Sequence, residues 1–324
     1  MNINQSLKGM LAAASASTLF AFSFLFTKQI TAEVSAFSLL GWRFLFAFLA
    51  MSFCIAIGIF KVNFKGKNFK PLFLMAIFQP VIYFMAETFG IRMTTASESG
   101  TIIACIPIIT LLTSSVFLKK YPTKMQIIGI LVSFTGIVGI VLIKGASASF
   151  HVAGYLVLLA AVLSAAMFTV YSTRAEAFSS VEKTYIMSFF GMISFITLAC
   201  IEHALAGTLP QFFMLPISNM RFLQAILYLS IGCSVIAFIL TNMAIEVIGA
   251  NRMTSFVALT TVVTVTAGVV FLKEAFSYKQ AIATLLVIVG VYLANRGKQK
   301  LQQEENTAKS FEITENEAKE ELLL

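Results

Sequence analysis

Two ionisable side chains stand inside long apolar runs of this chain, and they define what chemistry it can do. Arg43 lies in Leu39-Leu40-Gly41-Trp42-Arg43-Phe44, and Glu87 in Tyr83-Phe84-Met85-Ala86-Glu87-Thr88. A charge at the centre of a membrane helix costs about 2.5–3.5 kcal/mol on insertion scales, so it is retained where it faces protein or water. Opposite signs on two successive runs have two uses. They can lock the runs together as a salt bridge, or Arg43 can meet an anionic group while Glu87 takes a cationic group or a proton. The candidate substrate-binding or coupling residues are therefore Arg43 and Glu87, with Tyr83 as a polar handle and Trp42 as a stacking face. Asn242 and Thr261 offer neutral lining from the second half of the chain.

A second set of residues can bend or hold the backbone. Pro80 and Pro107 each break a helix inside an apolar run, because proline lacks a backbone donor and clashes with the preceding turn. Such a break frees a carbonyl to face a cavity, or it serves packing alone. Arg92 and Glu98 flank one turn, and Glu246 and Arg252 flank another with the charges in swapped order. Each pair can tie its turn, or close one mouth of a pathway in alternation with the other. Catalytic and metal chemistry find no such support. His151 and His203 have no ligand spacing around them; Cys54, Cys105, Cys200 and Cys233 lie far apart in apolar runs; no Walker loop occurs. No catalytic residue, metal or cofactor is expected, and ATP is not the drive.

The elements that position these groups follow from composition. Hydrophobic residues make up 58% of the 324 positions and charged residues 12%, with a mean hydropathy of +0.89. A soluble domain carries about 45–50% and about 25%, so lipid must solvate most of this surface. The net charge of +8 does not point to nucleic acid, because the lysines sit in short loops between apolar runs rather than along one polar face. Ten runs long enough to cross about 30 Å of hydrocarbon are predicted, at 8–27, 34–60, 70–92, 95–118, 124–143, 153–173, 184–205, 221–245, 250–272 and 277–296. The first has no convincing cleavage site and is taken as a membrane helix rather than a secretory signal. With the N-terminus inside, the inner segments carry about fourteen Lys and Arg and the outer ones about six. Both termini are accordingly expected in the cytoplasm. The Glu-rich stretch 297–324 is expected to be a charged cytoplasmic tail.

The runs are duplicated. Residues 77–136 recur at 231–290 without a gap, and roughly sixteen of about sixty positions are identical. Val116-Phe117-Leu118-Lys119 falls on Val270-Phe271-Leu272-Lys273, Gln126 on Gln280 and Gly136 on Gly290. Five helices per half is an odd number, so the second copy enters the membrane upside down. One turn changes charge accordingly, Lys119-Lys120 in the first copy becoming Lys273-Glu274 in the second. The expected fold class is an all-α integral membrane protein of ten transmembrane helices, built as two inverted five-helix repeats over 1–143 and 153–296. Residues 144–152 form the small, polar hinge between them. Duplicated hydrophobic halves of this kind build many secondary transporters.

In this arrangement the chain resembles the EamA-type transporters of the drug/metabolite transporter superfamily. Pro107 in Ile103-Ala104-Cys105-Ile106-Pro107 is similar to that family's fourth-helix proline. Phe271-Leu272-Lys273-Glu274 is similar to its end-of-helix motif before a Gly-rich last helix. Each hallmark stands in one half only, with Thr261 at the proline position of the second copy and Lys120 at the glutamate position of the first. The resemblance implies an exporter or exchanger of small metabolites, amino acids or drugs in the cell (plasma) membrane, with a central cavity between the halves. The expected partners are a small-molecule substrate, the lipid bilayer, and a proton or counter-substrate that sets direction, with no nucleic acid. The small residues Gly129, Ser133 and Gly139 serve close helix packing within the chain or in a homodimer, so a monomer and a homodimer both fit. Two other classes stay open: a membrane enzyme acting on lipid-borne substrates, and a non-transporting sensor signalling through the tail.

Overall fold

Long runs of Leu, Ile, Phe and Ala have one economical form in hydrocarbon, the α-helix, whose backbone groups pair within the segment. The computed structural model describes residues 3–118, 123–145, 152–249, 252–253 and 256–293, and no strand occurs among them. The helices are α1 (Ile3–Ile30), α2 (Ala36–Ala56), α3 (Lys70–Met93), α4 (Ala96–Ile103), α5 (Ile106–Leu118) and α6 (Lys124–Gly145). They continue with α7 (Val152–Arg174), α8 (Ser180–Leu205), α9 (Leu209–Ser218), α10 (Met220–Ile248), α11 (Val257–Phe271) and α12 (Tyr278–Leu293).

Seven stretches among the described residues are long and apolar enough to cross a membrane: Gln5–Ile30, Ala36–Ala56, Lys70–Met93, Ala96–Thr113, Val152–Arg174, Ser180–Leu205 and Met220–Ile248. The chain is a multi-pass membrane protein. The fifth, ninth and tenth expected spans correspond to shorter apolar helices, Lys124–Ile140, Val257–Phe271 and Tyr278–Leu293. Residues 119–122, 250–251, 254–255 and 294–324, which border them, lie outside the described residues. So do the Lys119-Lys120 turn, most of the 144–152 connection, His151 and the charged tail.

Two boundaries differ from hydropathy for local reasons. The span expected from 184 begins at Ser180, because Ser179 and Glu182 form a reciprocal capping box that hydropathy does not register. The connection after Gly207 is not a plain loop. Pro210 near its start suits a helix N-terminus, and α9 buries Phe212 while Phe213, Met214 and Ile217 stay exposed.

Helices from the two halves pair antiparallel. α2 runs against α8: Ser35 Oγ, at the start of α2, donates to Glu202 Oε2 (2.6 Å), and Lys67, beyond its end, pairs with Glu182 (2.6 Å). α1 runs against α10, with the Tyr228 hydroxyl donating to the Leu19 carbonyl (2.8 Å) and Gly9 lying against Val247 and Ile248. α3 runs against α7, where Ser164 Oγ donates to the Phe78 carbonyl (2.7 Å) and Gly154 meets Met93. α4 runs against α11, where Thr261 Oγ1 donates to the Gly100 carbonyl (3.0 Å) and Gly268 meets Ser97. α6 and α12 touch at backbone distance. A Cβ on Gly136 would fall 2.6 Å from the Ala283 carbonyl oxygen, and one on Gly290 would fall 2.5 Å from that of Gly129. The small residues of α6 are thus used within the chain.

Local devices recur with the 154-residue shift. α3 widens into π-type turns at Ile77–Ile82 and α10 does so at Tyr228–Ala237. Gln126 Oε1 accepts from the Thr123 N–H (2.8 Å), and Gln280 Oε1 accepts from the Ser277 N–H (2.8 Å). Between the halves Phe44 anchors an aromatic core, its ring 5.4 Å from Phe84, 5.5 Å from Phe195 and 6.5 Å from Phe238.

Candidate functional site

A cavity of about 90 Å³ occupies the centre of the bundle. α1 contributes Ser17, Phe20 and Phe24; α3 contributes Gln79 and Tyr83; Ile103 and Ile106 come from either side of the break between α4 and α5. From the second half come Ala165, Phe168 and Thr169 of α7, Thr241 and Ile245 of α10, then Met253 and Val257 with Thr260 of α11. The walls are mainly apolar with a few hydroxyls and one amide, the pattern of a small-molecule site. One of these groups is unsatisfied: Thr241 Oγ1 is buried and finds no hydrogen-bond partner among the described residues. The chain breaks that open the wall are local. Gln79 leaves the helical region (φ −142°, ψ 115°) ahead of Pro80, and Ala104–Cys105 interrupts the helix ahead of Pro107.

Behind Tyr83 lies a buried polar cluster. The Tyr83 hydroxyl donates to Glu87 Oε1 (2.7 Å), and Glu87 is 3% exposed. Arg43 is 1% exposed; its Nε donates to Ser234 Oγ (2.8 Å) and its guanidinium carbon sits 4.2 Å from the centre of the Phe84 ring. Arg43 Nη2 has no acceptor among the described residues. The salt bridge offered as one alternative for Arg43 and Glu87 is not formed, since no nitrogen–oxygen distance between them falls within 4.0 Å. Each charge is held by other groups instead, one by a hydroxyl and a ring face, the other by a phenol.

Beyond the cavity, the two ends of the bundle are tied differently. Where α3 meets α4, Lys28 Nζ donates to the carbonyls of Ile91 (2.9 Å), Arg92 (3.3 Å) and Thr94. Glu274, in the turn after α11, accepts from the Ala96 N–H (2.7 Å), the Ser97 N–H (3.0 Å) and the Ser97 hydroxyl (2.6 Å). A carboxylate there complements the first turn of α4. Gln280 Nε2 reaches Glu98 Oε1 (3.4 Å), and the Tyr155 hydroxyl bonds the same side chain. Every one of these ties except the Lys28 clamp joins the two halves. At the opposite end Lys183 pairs with Glu246 (3.3 Å), and Ser180 Oγ donates to the same carboxylate (2.8 Å). A second cavity of about 400 Å³ opens beside that pair, and Ile245 lines both it and the central one.

Replacing Glu274 by alanine strands two backbone donors and one hydroxyl. A cost of about 1–3 kcal/mol is expected, read as a lower midpoint of thermal unfolding in detergent. An unchanged midpoint would show the contact to be incidental.

Of the residues singled out in the sequence, Tyr83 lines the cavity, while Glu87, bonded to its hydroxyl, and Arg43, against the Phe84 ring, lie behind it and not in the wall. Asn242, at the repeat position of Thr88, is buried and bonds Ser172 (3.2 Å) and Thr184 (3.3 Å) instead, tying α10 to α7 and α8. Thr261 is spent on the Gly100 carbonyl, and its neighbour Thr260 faces the cavity. Trp42 Nε1 donates to the Phe212 carbonyl (3.1 Å), and its ring lies 5.6 Å from that of Phe212, away from the cavity. Arg92 and Arg252 are exposed and form no ion pair with Glu98 or Glu246. The turns are not each tied by their own acid and base; Glu98 and Glu246 are engaged by Gln280 and Lys183 instead. Sequence reasoning passed over Ser17, Thr169, Ser234, Lys28 and Lys183. A single hydroxyl in an apolar run looks the same whether it lines a cavity or bonds its own backbone, and the lysines were informative only as topology markers.

A family model described as the EamA-like transporter family matches residues 7–142 and again 152–296. The chain is 31% identical over 299 residues to the uncharacterized transporter YcxC of Bacillus subtilis (strain 168), covering 92% of this chain and 96% of that one. It is 24% identical to the uncharacterized transporter YetK of the same organism, over 90% and 88% of the two chains. A crystal structure superposes with a TM-score of 0.61 at 20% identity, over 93% of this chain and 99% of the other, and shows a shared fold. Matched by one family model through almost all of its membrane region, this chain belongs to the EamA-like transporter family.

Proposed function

We propose that the protein is a secondary transporter, an exporter or exchanger of small metabolites, amino acids or drugs, working by alternating access. The carrying observation is a central cavity lined from both halves of the chain. Two five-helix halves inserted in opposite directions make sense of the pairing. Under exchange of halves α2 swaps with α8 and α4 with α11, and each of these pairs is antiparallel. The expected orientation puts the Glu274 ties outside and the Lys183–Glu246 pair in the cytoplasm of a plasma-membrane protein. In that setting the structure corresponds to a state closed to the outside, with the 400 Å³ inner cavity as its vestibule. Small-molecule sites usually enclose about 300–1,000 Å³. A cavity of about 90 Å³ therefore has to widen to take cargo, which rocking of the halves supplies.

Thr241 is the first group to test. Its unsatisfied hydroxyl gives cargo a hydrogen bond that no protein group takes. Metabolite profiling of overexpressing and deletion strains identifies the cargo, and proteoliposome flux then measures it. Thr241→Val is expected to fold as well as the parent while raising KM about two- to tenfold, one ordinary hydrogen bond. Equal KM, or no compound whose export follows expression, would sink the assignment. Removal of residues 297–324 should leave flux intact; a tail-driven sensor would fall silent.

A further inference from the structure

A groove of about 780 Å³ runs between α1 and α10, separate from the central cavity. Its walls include Lys8, Leu11 and Ser15 on α1, and Leu240, Met243 and Glu246 on α10. On each helix these residues recur at three- and four-residue spacing and so share one face. The cavity face of α1 begins at Ser17, two residues and about 200° further round. The groove therefore lies on the outward side of the same two helices that wall the cavity.

Its polarity is graded along the axis. Gly9 lies against Val247 and Ile248, so Lys8 and Glu246 stand at the same end. From there the walls lose their charge and turn mostly apolar toward Leu11 and Leu240, with the Ser15 hydroxyl the polar group at that end, and Leu11 is 59% exposed. Lys8 to Ser15 spans about 10 Å of helix, within the roughly 15 Å depth of one leaflet. Charges at the rim and an apolar floor toward mid-membrane match a lipid with its headgroup at the rim. The rim carries both signs. Lys8 is an exposed ammonium. The Glu246 side chain is 36% exposed while Lys183 and Ser180 each engage one of its oxygens, and a carboxylate keeps further lone pairs for another donor.

We propose that this groove binds one phospholipid bearing a primary-amine zwitterionic headgroup, its phosphate on Lys8 and its ammonium on Glu246. α1 belongs to the first half and α10 to the second, so the lipid lies on the seam between them. This site does not depend on the transport reading, and its test reads lipid rather than flux.

The test is native mass spectrometry of the delipidated full chain, titrated separately with phosphatidylethanolamine, phosphatidylcholine and phosphatidylglycerol. The expected result is one saturable phosphatidylethanolamine, held about tenfold more tightly than phosphatidylcholine, whose quaternary ammonium has no N–H to donate to Glu246, or phosphatidylglycerol, which carries no cation. Lys8→Gln and Glu246→Gln should each weaken it about tenfold, and Leu11→Trp should exclude it. Lys8 is exposed, so its variant folds and keeps the comparison decisive even where Glu246→Gln does not. Equal retention of all three lipids, or Lys8→Gln and Leu11→Trp binding like the parent, would mean unselective annular lipid only and would overturn the site.

Discussion

Replacing Arg43 by methionine is expected to leave the fold at least as stable while cutting transport sharply. Taking an ion out of water carries an effective penalty of several kcal/mol, which excellent pairing geometry has to offset. Arg43 lacks that geometry: one bond to Ser234, a ring face at 4.2 Å, and an Nη2 with no acceptor. Buried ionic groups replaced by apolar ones of similar volume often leave stability unchanged or raise it by about 1–4 kcal/mol. Under the proposed transport reading Arg43 serves function and not stability, meeting an anionic group of the cargo once Tyr83 moves aside. Loss of one charge-assisted hydrogen bond predicts a fall in flux of about 10- to 100-fold. Thermal unfolding of purified Arg43→Met alongside proteoliposome flux separates the two roles. Unfolding of the variant would make Arg43 a structural lock; normal flux would remove it from the pathway.

Glu87→Gln should uncouple the transporter without disturbing its packing. The amide oxygen of glutamine still accepts from the Tyr83 hydroxyl, now 2.7 Å from Glu87 Oε1, but it cannot carry a proton through the cycle. A driving force of 100 mV is worth about 2.3 kcal/mol per charge moved, roughly a 50-fold accumulation ratio. With Glu87→Gln that ratio is expected to fall to near unity, and flux should lose its dependence on pH while exchange down a cargo gradient continues. Unchanged accumulation and unchanged pH dependence would take Glu87 out of the coupling role.

The membrane class and the family resemblance were legible from the sequence, because hydropathy and a gap-free duplication are both one-dimensional signals. Tyr83 and Glu87 were each singled out there, but their hydrogen bond, between positions one helical turn apart on the same face, was not. What else escaped depends on contacts between distant positions. The hydroxyl of Ser234 stands where the first copy has Pro80, and nothing local marks it as the partner of Arg43. Glu274 was recognisable as a motif residue; that it caps α4 from the other half, 178 residues away in sequence from Ala96, required the fold. Trp42 and Asn242 looked like lining because they are polar-capable groups in apolar runs. Helix packing gave both of them to neighbouring helices instead. Burial of a polar group says that it has a partner, and only geometry says which.

The most direct test of two halves inserted in opposite directions is a pair of topology reporters, one fused after Lys65 and one after Lys144. Lys65 follows the second span and Lys144 closes the fifth, so oppositely inserted five-helix halves put three crossings between them. Lys65 is predicted on the cytoplasmic face and Lys144 on the external one. Both reporters on the same side of the membrane would contradict the inverted arrangement, and alternating access between two such halves would fall with it.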